Sequence, residues 1–168
     1  SEHGKQPMSS PSCRYVISFN GEIYNHLELR AELEPHNWVG HSDTETLLAG
    51  FEQWGIKRTI EKTIGMFAMA IWCQKEKKLY LIRDRMGEKP LYYGFQGKGK
   101  DKVFLFASEL KAIKLHPSFE NNININSVDL LMRYKYIPAP NSIYQGISKL
   151  EPGNILTISV DETYEISS

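Results

Sequence analysis

Two short segments of the sequence bring amide, carboxylate and hydroxyl side chains together: Asn20-Gly21-Glu22 and Ser42-Asp43-Thr44-Glu45. By itself an Asn-Gly pair most often marks a tight turn, because both residues tolerate positive φ. Asp43 by itself is explained as an acid in the first turn of a helix, where the helix dipole favours negative charge. Each segment therefore needs further context before a chemical role follows.

The usual nucleophiles and metal ligands form no recognisable pattern. Cys13 and Cys73 are the two cysteines, and they make no CxxC pair and have no histidine partner at metal-ligand spacing. Cys73 stands in an apolar, strand-like segment, and the five histidines follow no ligand pattern. We therefore expect neither a structural disulfide nor a metal site.

The composition favours one soluble, cytoplasmic domain. With 168 residues, of which 41% are hydrophobic, the chain is long enough to bury a core. Twenty basic and twenty acidic residues give a net charge of zero, so no field attracts nucleic acid or anionic lipid. The longest apolar run, around Ile64–Cys73, is too short to cross a membrane, and the first residues do not read as a signal peptide.

The first elements must position the two polar segments. Arg14–Phe19 mixes β-branched and aromatic residues and predicts a strand that stops at an Asn20-Gly21 turn. Asn25 is then predicted to cap an amphipathic helix with a solvated polar face that ends before Pro35. A second helix is predicted to begin at a Ser42 cap and to stop at Gly55.

The rest of the chain adds more strands than helices. Met66–Cys73 and Leu79–Asp84, separated by a charged turn, predict a buried hairpin. Further elements are predicted as strands at Leu91–Phe95 and Val103–Ala107, a helix at Ser127–Tyr134 and a strand pair near Ile155–Ile166. Grouped strands and helices of this kind predict an α+β fold.

Five segments carry a family resemblance in a fixed order. They are FNGEIYN (Phe19–Asn25), SDTE (Ser42–Glu45), RDRMGEKPLYYG (Arg83–Gly94), FASELKAI (Phe106–Ile113) and YIPAPNSIYQGISKLEPGNIL (Tyr136–Leu156). Together they resemble the class II glutamine amidotransferase domain of glutamine-hydrolysing asparagine synthetases. Phosphoribosylpyrophosphate amidotransferases and glucosamine-phosphate synthases share variants of the first two segments but not the last. The resemblance implies an N-terminal-nucleophile hydrolase fold, a four-layer αββα sandwich.

The resemblance also implies roles for four residues. In such a domain a cysteine at position one attacks the glutamine carboxamide, and its free α-amine serves as the base. Asn20, through its side-chain amide, and Gly21, through its N–H, match the family's oxyanion hole. Glu22 and Asp43 match the carboxylates that hold the α-ammonium group of glutamine.

The sequence departs from the family at its start. The family's nucleophile lies several dozen residues before the NGE segment, whereas nineteen residues precede Asn20 here. We therefore expect a partial domain that lacks the nucleophilic cysteine and the arginine for the glutamine carboxylate. Cys13 is internal and has no free α-amine, so it is not a substitute, and Ser1 is interpreted as a boundary residue. Residues 1–135 are assigned to the incomplete domain and 136–168 to its C-terminal part, leading to an absent synthetase domain.

The expected function belongs to a longer parent protein. The parent would hydrolyse glutamine and use the ammonia to amidate aspartate to asparagine, with ATP and magnesium needed by the absent synthetase domain alone and no cofactor in this chain. Its expected partners are glutamine, the synthetase domain and, in a homodimer, a second parent chain. Two alternatives stay open: a noncatalytic glutamine-binding or interaction module, and a relative that amidates another carboxylate.

Overall fold

A computed structural model of the chain describes residues 5–35, 37–160 and 164–168. The chain divides into two compact units: a first unit of Ser1–Glu88 with Gly153–Ser168, and a second unit of Lys89–Pro152. Each unit contains an antiparallel sheet and helices, so the predicted α+β class is confirmed. Within the described residues no helix is long and apolar enough to cross a membrane.

Strands and helices occur in groups along the described residues. Along the described residues the strands are β1 (Met8–Ser9), β2 (Tyr15–Ile23), β3 (Gly65–Cys73), β4 (Lys78–Arg83), β5 (Tyr92–Gln96), β6 (Val103–Ala107), β7 (Ile147–Lys149), β8 (Ile155–Ser159) and β9 (Tyr164–Ser167). The helices are α1 (His26–Glu32), α2 (Asp43–Trp54), α3 (Ile56–Lys62), α4 (Leu110–Ile113) and α5 (Ile125–Tyr134).

The first unit is built on a sheet with the strand order β1-β2-β3-β4-β8-β9, in which every neighbouring pair is antiparallel. Alternate residues of β2, among them Tyr15 and Ile17, join a core that also contains Phe51 of α2 and Phe67 and Ile71 of β3. The period of two directs the intervening β2 side chains to the opposite face of the sheet. The helices α1 to α3 lie between β2 and β3 in the chain and supply the apolar cover for this core.

The helix α2 begins and ends where its sequence predicts. The Ser42 hydroxyl accepts a hydrogen bond from the Glu45 N–H at 3.3 Å, which satisfies one donor of the first turn. Gly55 ends the helix with a φ of 80°, a conformation that glycine adopts without steric cost. The predicted cap and stop are therefore confirmed.

The role predicted for Asn25 is partly wrong. It occupies the N-cap position of α1, but its side chain makes no capping hydrogen bond. Its amide instead donates to the Lys62 carbonyl at 3.0 Å and accepts from the Ile64 N–H at 2.8 Å. Asn25 thereby ties the start of α1 to the end of α3, a long-range contact that a local helix signal does not contain.

The strand β2 does not stop at Asn20-Gly21, so the predicted turn is wrong. Both residues lie inside the strand, and β2 pairs with β3 without interruption from Tyr15–Cys73 to Ile23–Gly65. Gly21 is needed here for close approach: a Cβ atom on it would stand 2.2 Å from the Met66 carbonyl oxygen. Pairing over the whole length of β3 thus overrides the local turn preference.

The second unit contains a sheet with the order β6-β5-β7 and the helices α4 and α5. Phe104 packs edge-on against Phe95, with ring centroids 5.1 Å apart, and so joins β6 to β5. The helix α5 begins two residues before its predicted start, because Asn124 accepts a hydrogen bond from the Asn126 N–H at 3.1 Å and acts as the cap.

A buried carboxylate, Asp84, fixes the chain just after β4. The residue is 1% exposed, and its oxygens accept from the N–H groups of Phe67 at 3.2 Å and of Met86 and Glu88 at 3.0 Å each. We expect Asp84→Asn to lower the free energy of unfolding by about 2 kcal/mol, because the amide places a donor against N–H groups. Urea denaturation measures this loss.

The matched control for Asp84 is Asp101→Asn, since Asp101 is exposed. Its change in the free energy of unfolding should stay within about 0.5 kcal/mol. Equal losses in the two variants would contradict a special role for the Asp84 carboxylate.

Candidate functional site

The candidate site begins on the exposed face of β2. Asn20 and Glu22 are both exposed and are separated by Gly21, so the strand's period of two directs their side chains to the same face. Gly21 contributes its backbone instead of a side chain. The NGE segment therefore presents an amide and a carboxylate side by side on a rigid strand.

The N–H of Gly21 points away from β3. Gly21 lies opposite Phe67, whose N–H donates to Asp84 Oδ2 and whose carbonyl accepts from the Asp84 N–H at 2.9 Å. Both polar groups of Phe67 thus face β4, which makes Gly21–Phe67 a non-hydrogen-bonded pair of the antiparallel ladder. The Gly21 N–H is consequently directed to the other edge of β2.

Among the described residues, β1 pairing ends at Ile17, and no strand of the described ranges covers this edge of β2 beyond it. The neighbouring donors are satisfied by side chains: the Phe19 N–H donates to Gln6 Oε1, and the Ile23 N–H donates to Asp43 Oδ2 at 3.0 Å. Between them, the Gly21 N–H has no acceptor within residues 5–35, 37–160 and 164–168. This donor places Gly21 at the centre of the candidate site.

Asp43 is brought to this edge by the start of α2. Its Oδ2 accepts from the Ile23 N–H at 3.0 Å, and its Oδ1 accepts from the Thr44 N–H at 2.8 Å. As predicted, it is an acid in the first helical turn. The two polar segments of the sequence therefore meet, and the Asp43 carboxylate lies beside Glu22 and Ile23.

Carboxylates dominate the electrostatics at this end of β2. Partial desolvation and then the nearby carboxylates of Glu88, Glu22 and Asp84 raise the pKa of the Tyr24 hydroxyl. Asp43 on the adjacent edge adds a further carboxylate close to Gly21. The site thus combines a neutral backbone donor, the Gly21 N–H, with several carboxylates.

Neither cysteine lies at this end of the strand. Cys13 is exposed in the turn that precedes β2, and Cys73 is buried opposite Tyr15. Asn20 is five residues along the strand from Tyr15, which corresponds to about 17 Å. Cys13 therefore cannot attack a carbonyl held at Asn20 and Gly21, in agreement with the sequence interpretation.

Arg30 makes contacts near Asp43 that sequence reasoning missed. The polar face of α1 was expected to be solvated, but the Arg30 side chain is 11% exposed and forms hydrogen bonds to the segment before Asp43. The prediction of a solvated face is therefore wrong at this position. The alternating charges of α1 did not indicate this contact. A charged side chain that binds a neighbouring loop stands in the same local sequence pattern as one exposed to water.

The candidate site is an open strand edge rather than a closed cavity. A cavity of about 180 Å³ opens elsewhere on the first unit, with Lys57, Ile60, Phe67 and Arg85 among its lining residues. None of Asn20, Gly21, Glu22 or Asp43 lines it. Arg85, which lines this cavity, uses its guanidinium to bind the carbonyls of Ile60, Glu61 and Thr63 at the end of α3.

Comparison with solved structures identifies the fold. The chain superposes on a glutamine phosphoribosylpyrophosphate amidotransferase from Bacillus subtilis with a TM-score of 0.69 and 20% identity, over 99% of this chain and 32% of that chain. A second structure, an allosteric regulatory enzyme of purine biosynthesis, gives a TM-score of 0.66 and 21% identity over 98% of this chain and 31% of that one. The predicted N-terminal-nucleophile type of fold is confirmed.

Sequence comparison identifies the relatives. The chain is 40% identical over 164 residues to asparagine synthetase [glutamine-hydrolyzing] 1 of Bacillus subtilis, covering 95% of this chain and 25% of that protein. It is 36% identical over 149 residues to a putative asparagine synthetase 2 of Methanocaldococcus jannaschii, covering 88% of this chain and 28% of that protein. The chain thus spans about a quarter of the length of these curated relatives. A family model described as a glutamine amidotransferase domain matches residues 1–167, and the chain belongs to that family.

Proposed function

We propose that this chain supplies the oxyanion-stabilising and ammonium-binding half of a glutamine amidotransferase site. The observation that carries the proposal is the Gly21 N–H, which the pairing of β2 leaves without an acceptor among the described residues, beside Asn20, Glu22 and Asp43. Family membership supports glutamine as the ligand. In this proposal Asn20 Nδ2 and the Gly21 N–H donate to the glutamine carboxamide oxygen, and Glu22 and Asp43 hold its α-ammonium group.

The proposed chemistry is thioester formation followed by hydrolysis. A cysteine thiolate attacks the carboxamide carbon, the carbonyl electrons move to the oxygen, and the two donors stabilise the resulting negative charge. The α-amine of that cysteine takes the thiol proton and gives a proton to the leaving nitrogen, so collapse of the intermediate breaks the C–N bond and releases ammonia. Water then hydrolyses the thioester to glutamate and restores the thiol. Because Cys13 and Cys73 lie far from Asn20, the thiolate in this proposal is the terminal cysteine implied by the family resemblance.

The proposal extends to the protein in which the domain works. The relatives named asparagine synthetase are about four times as long as the matched region, which supports fusion to a synthetase domain that consumes the ammonia. Amidation of aspartate, the ATP and magnesium it requires, a homodimeric assembly and a cytoplasmic location are parts of this proposal. No cofactor is proposed for the glutamine hydrolysis itself.

A second function is supported by the positions of the cysteines. A chain that binds glutamine without a thiol at Asn20 is a binding module rather than an enzyme. The binding module and the enzyme are distinguished by measuring glutamate release from glutamine. The assay compares this chain with a version extended upstream to carry a terminal cysteine. If only the extended version releases glutamate, the result supports the proposed half of an amidotransferase site. If the chain without the extension releases glutamate, the assignment of the nucleophile is wrong.

Binding itself is tested by titrating the ¹⁵N-labelled chain with L-glutamine. The amide resonances of Gly21 and Ile23 should shift together, because one donates to the ligand and the other to Asp43. Resonances near Cys13, at the far end of β2, should stay unchanged. Shifts spread over the cavity lined by Lys57 and Ile60, with none at Gly21, would contradict the proposed site.

Asp43→Asn is expected to weaken L-glutamine binding by at least about tenfold, the loss of one charge-assisted contact. An ammonium contact acts in the ground state and the transition state alike, so turnover at saturation should change much less than affinity. Isothermal titration calorimetry measures the affinity. The matched control is Glu28→Gln, which removes an exposed carboxylate from α1. Equal affinity for L-glutamine in Asp43→Asn and the unchanged chain would refute the ammonium-binding role of Asp43.

A further inference from the structure

Residues 37–42, which lead into Asp43, have no regular secondary structure, and Arg30 binds two of their carbonyl groups. From the last turn of α1, Arg30 Nη1 donates to the Gly40 carbonyl at 3.0 Å and Nη2 donates to the Ser42 carbonyl at 2.9 Å. Its Nε donates to Thr46 Oγ1 in α2 at 2.7 Å. A planar guanidinium makes these bonds simultaneously because its donors have a fixed fork geometry.

Glu45 and Trp38 complete the contacts around this guanidinium. Glu45 Oε2 lies 3.4 Å from Arg30 Nη2 and accepts from the Gly40 N–H at 3.0 Å, while Oε1 accepts from the Val39 N–H at 2.7 Å. The Trp38 ring stacks 4.0 Å from the guanidinium carbon. The side chains of Arg30 and Glu45 are 11% and 15% exposed, so solvent screens this ion pair little. We call Arg30, Trp38 and Glu45 the loop clamp.

The loop clamp ends where the candidate site begins. The Ser42 carbonyl, which Arg30 holds, belongs to the peptide that enters Asp43, and the Asp43 carboxylate then reaches the Ile23 N–H on β2. We propose that Arg30 is a positioning residue that fixes Asp43 against β2 and thereby sets the affinity of the site for an α-ammonium group. This inference rests on the proposed function and adds to it a residue that does not touch the ligand.

The test compares two ligands in the full 168-residue chain. L-Glutamine carries the α-ammonium group, and glutaramate is the same molecule without its amino group. Arg30→Lys keeps the positive charge but loses the fork, so it should lower the affinity for L-glutamine about tenfold, as expected when one charge-assisted contact is impaired. The affinity for glutaramate, which does not use Asp43, should be unchanged; equal loss for both ligands would overturn the proposal.

Two further variants keep the result interpretable. Arg58→Lys is the matched control, because Arg58 is exposed on α3 and pairs with Glu61 at 3.6 Å; it should change neither affinity. Glu45→Gln removes the other charge of the loop clamp and should reproduce the selective loss for L-glutamine, even where Arg30→Lys folds poorly. No selective loss in either clamp variant would overturn the inference.

A failure of the proposed function can be distinguished from a failure of the positioning role of Arg30. If the unchanged chain binds no L-glutamine, the proposed ligand is wrong, and hydrogen exchange at the Ile23 amide then decides the positioning role. Since Asp43 Oδ2 protects this amide, Arg30→Lys should speed its exchange at least about fivefold, while Arg58→Lys leaves it unchanged. An unchanged exchange rate in Arg30→Lys would overturn the positioning of Asp43 by Arg30.

Discussion

Gly21→Ala is expected to lower the free energy of unfolding by about 3 kcal/mol, the upper part of the range for overpacking a closely packed site. The added Cβ atom would stand 2.2 Å from the Met66 carbonyl oxygen and 2.6 Å from Phe67 Cα. Both obstacles are backbone atoms of β3, so the two strands themselves must separate. Urea denaturation followed by circular dichroism measures the loss.

The matched control for Gly21 is Gly99→Ala. Gly99 has a φ of +55°, but a Cβ atom added to it meets nothing within 4 Å. Its substitution therefore carries a conformational cost of about 1 to 2 kcal/mol without a steric clash. If Gly99→Ala were as damaging as Gly21→Ala, close approach of β3 would not explain why glycine stands in β2.

The fold could be predicted wherever local chemistry and tertiary structure agree. The Ser42 cap, the Gly55 stop and the hairpin of β3 and β4 are encoded within a few residues, and each is present. Asn20-Gly21 shows the opposite case. Its local chemistry favours a turn, but β3 offers a continuous antiparallel partner across nine residues of β2, and pairing dominates.

The direction of the Gly21 N–H lies beyond local patterns for a similar reason. It depends on which β2 residues form the hydrogen-bonded pairs, and that register is set by β3 and by Asp84 after β4. The loop clamp depends likewise on the folding of α1 against α2, which places Arg30 beside Glu45. The resemblance to amidotransferases supplied the candidate site residues, and the structure supplied the contacts around them.

Asn20→Ala is expected to lower glutamine-dependent product formation about 10²- to 10³-fold, the cost of removing one oxyanion-hole donor. The measurement uses the proposed longer protein, which joins this chain to a terminal cysteine and a synthetase domain. The Asn20 amide stabilises charge that develops only in the transition state, so the loss should fall on turnover more than on the affinity for glutamine.

Ammonia bypasses the glutamine site and therefore provides the internal control for Asn20→Ala. With ammonia as the nitrogen source, product formation by the Asn20→Ala protein should stay nearly unchanged, because the step that needs the oxyanion donor is skipped. Ser18→Ala is the matched variant, since Ser18 is exposed on the same face of β2, two residues earlier. It should leave both activities intact; an equal loss of glutamine- and ammonia-dependent activity in Asn20→Ala would mean that Asn20 supports the fold rather than the oxyanion.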